Sequence, residues 1–294
     1  MTDLTGMLKN PETITIITSG GLGDMLIVLC KLSAESLRRK CKFKIIRYDL
    51  YAQYDSLIGE LVSAFGFAEF VTPSRTFESI DVLNAAIESA PFSYVDTKWK
   101  KTDQETYPFD YDSLNPFLNL KTEIPKVDRK RKNIGIQLFC GVEGHNFRGF
   151  SLDWLRVVRQ RYPAKEFALW LFGSNSKSYD PARIAEVCSY LGIDNMVEKI
   201  SFHAWMGYIS AMGMYISLEG FSGLFSMSQK VPTLVYNQYS GGIQDSVHNA
   251  WSRNSRIVNL NSNLFLRKYN HLFNSQRLYS PSIPEDIEVL CTQK

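Results

Sequence analysis

Short apolar runs separated by longer amphipathic stretches recur along the chain. In its first third, Thr13–Thr18, Phe43–Tyr48, Glu69–Thr72 and Ser93–Asp96 have the length and apolar content of strands, while Asp24–Arg39, Gln53–Phe65 and Ser79–Ser89 carry helical spacing. Strands alternating with helices of this length predict βαβ units and a parallel sheet. The alternation stops between Lys98 and Lys132. That stretch holds Pro108, Pro116 and Pro125, many aromatics, and the basic cluster Lys126, Arg129, Lys130, Arg131 and Lys132, and it reads as an irregular surface segment ending in a linker. A second series follows, with strands predicted at Asn133–Leu138, Glu166–Phe172, Met214–Ser217 and Thr233–Tyr236. Its helices are predicted at Leu152–Arg161, Pro181–Leu191, His203–Ala211 and Gly223–Gln229. A last helix is expected over Pro284–Gln293, because a first-turn proline followed by Glu285 and Asp286 suits a helix start.

Two alternating series predict an α/β protein of two Rossmann-like domains facing across a cleft. The expected domains are residues 1–125 and 126–280, with a C-terminal helix over 281–294. At 294 residues the chain is long enough for a core in each.

Composition changes this picture little. An aromatic content of 13% suits contacts with sugars, bases or interfaces without selecting among them, and a net charge of +3 neither demands nor excludes an anionic partner. No apolar run approaches the ~18–20 residues of a membrane span, and Met1–Pro11 lacks the apolar centre of a secretory signal. The five cysteines, Cys30, Cys41, Cys140, Cys188 and Cys291, are scattered and form no C-x-x-C pair. These features point to a reduced, cytoplasmic protein with no membrane insertion; neither a disulfide framework nor a metal site is expected.

In open α/β sheets ligands bind beyond the carboxyl ends of the strands, and four such ends carry candidate chemistry. Ser19-Gly20-Gly21-Leu22-Gly23-Asp24 joins a predicted strand to a predicted helix. Bare N–H groups at a helix start attract anions, yet Asp24 brings a negative charge there. The run holds only part of a dinucleotide fingerprint, since the third glycine falls at Leu26, and it is not a Walker loop. It reads either as a tight turn with Asp24 capping the helix, or as a loop that presents Asp24 as a general base. The second end, from Phe139 to Phe150, carries three glycines, Glu143, His145 and Arg148, whose planar fork of donors suits a diphosphate. At the third, Gly173 and Ser174 offer small polar contacts to a ribose or phosphate, although Gly-Ser after a strand is also ordinary turn chemistry. At the fourth, Glu219, Gly220, Ser222, Gly223 and Leu224 open a helix whose start faces an anion, with Glu219 placed to accept hydrogen bonds from sugar hydroxyls; Ser222 as a plain helix cap is the alternative.

The placement of Gly23-Asp24, Arg148-Gly149-Phe150-Ser151, Leu171-Phe172-Gly173-Ser174 and Ser222-Gly223-Leu224 resembles the heptosyltransferase-type enzymes of glycosyltransferase family 9. Phe221 stands where that family has an aspartate, and Ser226 where it has a histidine. The resemblance implies a GT-B fold and a nucleotide-sugar co-substrate with no other cofactor, and the inventory of candidate residues fits a metal-independent, inverting transfer. It implies Asp24 as the base that activates the acceptor, and Arg148, Ser222 and Gly223 against the donor diphosphate; weighed against the second domain, the loop with Gly21 and Gly23 reads as the acceptor side. The acceptor is expected to be a saccharide hydroxyl. An alternative is a hydroxymethylated base in DNA, modified as phage enzymes do, with Lys98, Lys100, Lys101 and the cluster at 126–132 as phosphate contacts. Readings outside sugar transfer are a nicotinamide-dependent oxidoreductase and a nucleotide-binding module without activity.

Overall fold

The computed structural model describes residues 12–18, 21–47, 55–71, 85, 92–95, 98–99, 118, 126–128, 130–140, 148–173, 179–237, 255–259 and 277–285. The chain divides into two compact units, Met1–Lys121 and Thr122–Lys294.

The first unit runs β1 (Thr13–Thr18), α1 (Leu22–Arg39), β2 (Lys42–Arg47), α2 (Asp55–Ser63), β3 (Ala68–Val71), β4 (Phe92–Val95) and β5 (Lys98–Trp99). The strands form one sheet in the order β3-β2-β1-β4-β5, parallel except for the β4–β5 pair. Ile14, Ile16 and Ile17 bury one side of β1 or the other, and α1 is buried continuously from Met25 to Ser33. A strand buried on both faces and a helix enclosed at its start leave little room for sequence alternation. The polar end of α1 is tied down by Glu35, 2% exposed, which pairs with both Arg38 and Arg39. Arg47, fully buried at the end of β2, pairs with Asp55 at the start of α2.

The second unit runs β6 (Lys132–Gln137), β7 (Phe139–Cys140), β8 (Arg148–Phe150), α3 (Trp154–Arg161), β9 (Phe167–Phe172), α4 (Pro181–Leu191), β10 (Ile193–Asn195), α5 (Phe202–Ala211), β11 (Met214–Leu218), α6 (Phe221–Ser228), β12 (Thr233–Asn237), β13 (Ser255–Asn259) and β14 (Arg277–Tyr279). Its main sheet has the order β10-β9-β6-β11-β12-β13 and is parallel throughout. Renumbered from β6, that is the doubly wound order 3-2-1-4-5-6. Ile134, Ile136, Leu169 and Leu171 pack against Trp154, Leu155, Val158 and Ile184. Arg159 binds the carbonyls of Leu191, Gly192, Tyr162 and Phe167, so a single guanidinium holds the end of α4, the end of α3 and the start of β9 together.

A small second sheet, β14-β8-β7, lies in the same unit. Arg148–Phe150 pairs in parallel with Arg277–Tyr279, and Trp154 Nε1 donates to Pro281 O at 2.7 Å. Tyr236 Oη donates to Ser282 O at 2.8 Å. Phe150 stacks on Trp154 with centroids 4.1 Å apart, and Tyr236 meets both edge-on.

Three expectations change. The glycine-bearing strand end Phe139–Phe150 contains β7 and β8, and the stretch expected to be irregular begins with β5. The strands β10 and β13 flank the predicted sheet on its two edges. The helix expected at Ser79–Ser89 lies outside the described residues apart from Ala85, and the final helix lies outside them beyond Glu285. Among the described residues, no helix is long and apolar enough to cross a membrane.

Candidate functional site

In the second unit the strand order reverses between β6 and β11, the place where doubly wound sheets open a crevice. Gln137 ends β6 and is 5% exposed. Ser217 Oγ donates to Gln137 Oε1 at 2.9 Å, Ser222 Oγ donates to the same oxygen, and the two hydroxyls lie 3.2 Å apart. Ser222 therefore turns its side chain inward, fully buried, as are all the residues of α6. Leu224 is a core residue, 1% exposed. Gly220 precedes the helix at φ 138°, a conformation that a Cβ would strain, and this lets β11 turn sharply into α6.

Glu219 and Arg148, 71 residues apart in sequence, form one buried group. Arg148 Nη2 lies 2.9 Å from Glu219 Oε1 and donates to Glu219 O at 3.1 Å. The side chains are 10% and 2% exposed. The Glu219 N–H donates to Tyr236 O at 3.0 Å, and Cys140 Sγ lies 3.3 Å from Glu219 O as its donor. Burial pushes the Cys140 thiol up to about 11; the Arg148 charge opposes that rise and Glu219 adds to it. Charged partners this deep hold each other in fixed geometry, because separating them leaves an uncompensated charge.

Gly149 sits where a Cβ would lie 2.1 Å from Tyr179 Oη. That hydroxyl donates to Phe150 O at 2.8 Å, and the Tyr179 ring stacks on Phe139 at 5.2 Å. Burial raises the Tyr179 phenol far above its ordinary value, so it stays a donor. Phe139 also lies against Gly173 at the end of β9. A cavity of about 300 Å³ opens beside these rings, lined by Phe139, Tyr179, Ile184, Asn195, Glu198 and Lys199 among others. Asn195 Oδ1 accepts from Val197 N–H at 3.0 Å, and Glu198 has a left-handed φ of 60°.

In the first unit the strand order reverses between β1 and β4, and the chain leaves β1 towards α1 at that point. Gly21 is the N-cap, Gly23 the second helical residue and Asp24 the third. Asp24 Oδ2 accepts from the Gly21 N–H at 2.8 Å, which closes the helix start and places a negative charge where the helix dipole favours it. Asp24 is half-buried.

The structure thus gathers Arg148, Glu219, Gly220, Ser222 and Gly223 at one strand end of the second unit, with Gly173 beyond Phe139. Gly21, Gly23 and Asp24 share one helix start in the first unit. Lys98 lies in β5, paired with Val95, and Ser174 is outside the described residues. Gln137, Tyr179 and Asn195 were not anticipated, and Phe139 and Cys140 lay in a singled-out strand end without a role of their own; Gln137 is a lone amide at the exit of β6, which gives little signal. Sequence reading also passed over Asp110-Tyr111-Asp112, a carboxylate pair of chelating spacing outside the described residues. Among the described residues, no three Cys, His, Asp or Glu side chains converge as a metal site.

Two Rossmann-like units in one chain are the GT-B fold. The chain shares it with ADP-heptose lipopolysaccharide heptosyltransferase II of E. coli at 9% identity and a TM-score of 0.56, the match covering 95% of this chain and 99% of that one. TibC, an iron-containing dodecameric glycosyltransferase from enterotoxigenic E. coli H10407, matches at 13% identity and a TM-score of 0.43. That match covers 78% of this chain and spans 59% of TibC. UDP-GlcNAc 2-epimerase from Neisseria meningitidis matches at 10% identity and a TM-score of 0.47, over 96% of this chain and 94% of the epimerase. No family model matches the chain, and no curated protein sequence matches it.

Proposed function

We propose that the protein is an inverting glycosyltransferase that moves a sugar from a nucleotide-sugar donor to an acceptor hydroxyl. The observation that carries this reading is the buried polar cluster of Gln137, Arg148, Glu219 and Ser222 where the strand order of the second unit reverses. It supplies a cation and a helix start to an anion. The likeness in fold to an ADP-heptose-dependent transferase supports the same donor class. The cavity beside Phe139 and Tyr179, with a volume of about 300 Å³, suits the nucleoside.

In this reading Asp24 takes the proton of the acceptor hydroxyl as that oxygen attacks the anomeric carbon. The bond from that carbon to the nucleoside diphosphate breaks, and the diphosphate leaves with the electron pair. Arg148 and the first turn of α6 stabilise the charge that develops on it. The chemistry proceeds without a metal, which EDTA tests: turnover that survives chelation supports it, and turnover restored only by a divalent cation assigns a role to Asp110 and Asp112 instead.

A panel of ADP-, UDP- and GDP-sugars in a thermal-shift assay tests the donor class, because a ligand that binds only the native state raises its melting temperature. No shift with any sugar nucleotide overturns the proposal, and a shift with NAD(H) alone favours the oxidoreductase reading. For the acceptor, Lys126, Lys130 and Lys132 are exposed while Arg131 is held by Asp128 and Ala164 O. These exposed lysines keep modified DNA as a second acceptor reading. It predicts duplex binding that weakens steeply with salt.

A further inference from the structure

Arg148 already has an anion. Its guanidinium reaches both the carboxylate of Glu219 at 2.9 Å and the carbonyl of the same residue at 3.1 Å. Glu219 is itself fixed by its N–H to Tyr236 O and stands directly before the glycine that opens α6. A second anion arriving at that helix start meets a carboxylate of its own sign and a cation that is already neutralised. We propose that Glu219 is a positioning residue that competes with the donor and product diphosphate for Arg148. This inference rests on the proposed function, since it gives the same site a means of letting its product go.

The physical consequence is an exchange of partners. Binding of a diphosphate requires Arg148 to loosen its contact with Glu219, so part of the new attraction is offset by the old one. Retention of the product is weakened by the same amount. Sugar transfer leaves a nucleoside diphosphate that holds one more negative charge than the donor, and without a competitor a buried arginine would hold that product longest of all. Glu219 thus trades affinity for release, and release limits the turnover of many enzymes. A purely structural ion pair makes a different prediction: its loss lowers stability and leaves nucleotide affinity unchanged or poorer.

The test measures ADP, UDP and GDP binding by calorimetry to the wild-type protein, Glu219→Gln, Arg148→Met and the double variant, with melting temperatures in parallel. Glu219→Gln is expected to bind the preferred diphosphate about tenfold more tightly, equivalent to about 1.4 kcal/mol, although its ligand-free melting temperature falls. In steady state KM for the donor falls, and kcat falls with it as product release slows. Arg148→Met binds more weakly than wild type. In the double variant the gain from Glu219→Gln disappears, and because both buried charges are removed together this protein serves if either single variant fails to fold. Equal or weaker diphosphate binding by Glu219→Gln overturns the inference, as does a double variant that binds as tightly as wild type. If no nucleotide binds any of the four proteins, the proposed function falls and the inference falls with it. Binding by wild type without the predicted gain sinks the inference alone.

Discussion

Each unit turns from a parallel strand into a helix where its strand order reverses, and the two turns are built differently. Between β1 and α1 the helix start is closed by Asp24 accepting the Gly21 N–H; the residue is half-buried and its Oδ1 is buried. Between β11 and α6 the turn is bound into the surrounding structure by Gln137, Ser217, Ser222, Arg148 and Tyr236, all of them deeply buried. The first arrangement puts a single titratable group at a helix start. The second fixes dipoles and charges in advance around an arginine whose charge Glu219 balances. On the proposed function, the first strand end would serve proton transfer and the second anion binding.

The comparison is broken most directly at Asp24. Asp24→Asn keeps an oxygen for the Gly21 N–H and removes the base, so turnover should drop about 10²–10⁴-fold while donor affinity and melting temperature hold. Retained turnover would remove the chemical role and leave only the helix cap. A smaller effect is expected at Gly149→Ala in the second unit. The new Cβ would meet Tyr179 Oη at 2.1 Å, a contact with no room to relax without losing the bond to Phe150 O. The cost should be about 1–3 kcal/mol, seen as a lower denaturant midpoint. An unchanged midpoint would mean that this strand end is looser than the polar cluster suggests. The mildest probe is the Cys140 thiol, pushed up to about 11. Since the thiolate is the reactive form, alkylation of Cys140 at pH 8 should run roughly 100-fold slower than that of an ordinary thiol and quicken as pH rises. Rapid labelling at pH 8, read by peptide mapping, would erase the contrast between a strand end closed by one carboxylate and one built on a buried network.

The strands and helices of the main sheets were legible because their signal is local. Thr13–Thr18 and Pro181–Leu191 are found as read, and the other predicted elements among the described residues differ by a few residues at their ends. What escaped was held by distant partners. Arg148–Phe150 becomes a strand because Arg277–Tyr279 lies beside it, and three residues rich in glycine context show no alternation of their own. Ile193–Asn195 is too short to show a period and follows directly on the left-handed Gly192. The site was half legible for the same reason. Arg148 and Glu219 were each picked out as binding residues, but nothing in their spacing says that they bind each other, and only the fold brings them within 2.9 Å. Gln137 was hidden by its setting, since a single amide at the end of an apolar strand looks like the strand's exit.

The pairing of β14 with β8 also sets an order of events during synthesis. Every described strand of the first unit's sheet lies within residues 13–99, so that sheet can assemble as soon as this part of the chain has left the ribosome. The second unit must wait. Its Trp154 and Tyr236 are covered by bonds to Pro281 and Ser282, and Arg148 gains its outer neighbour at Arg277. Until residues 277–282 emerge, the strand that carries Arg148 has one flank open and its aromatic core lacks that cover. The second unit therefore completes its smaller sheet and the cover of its aromatic core only when residues 277–282 have emerged.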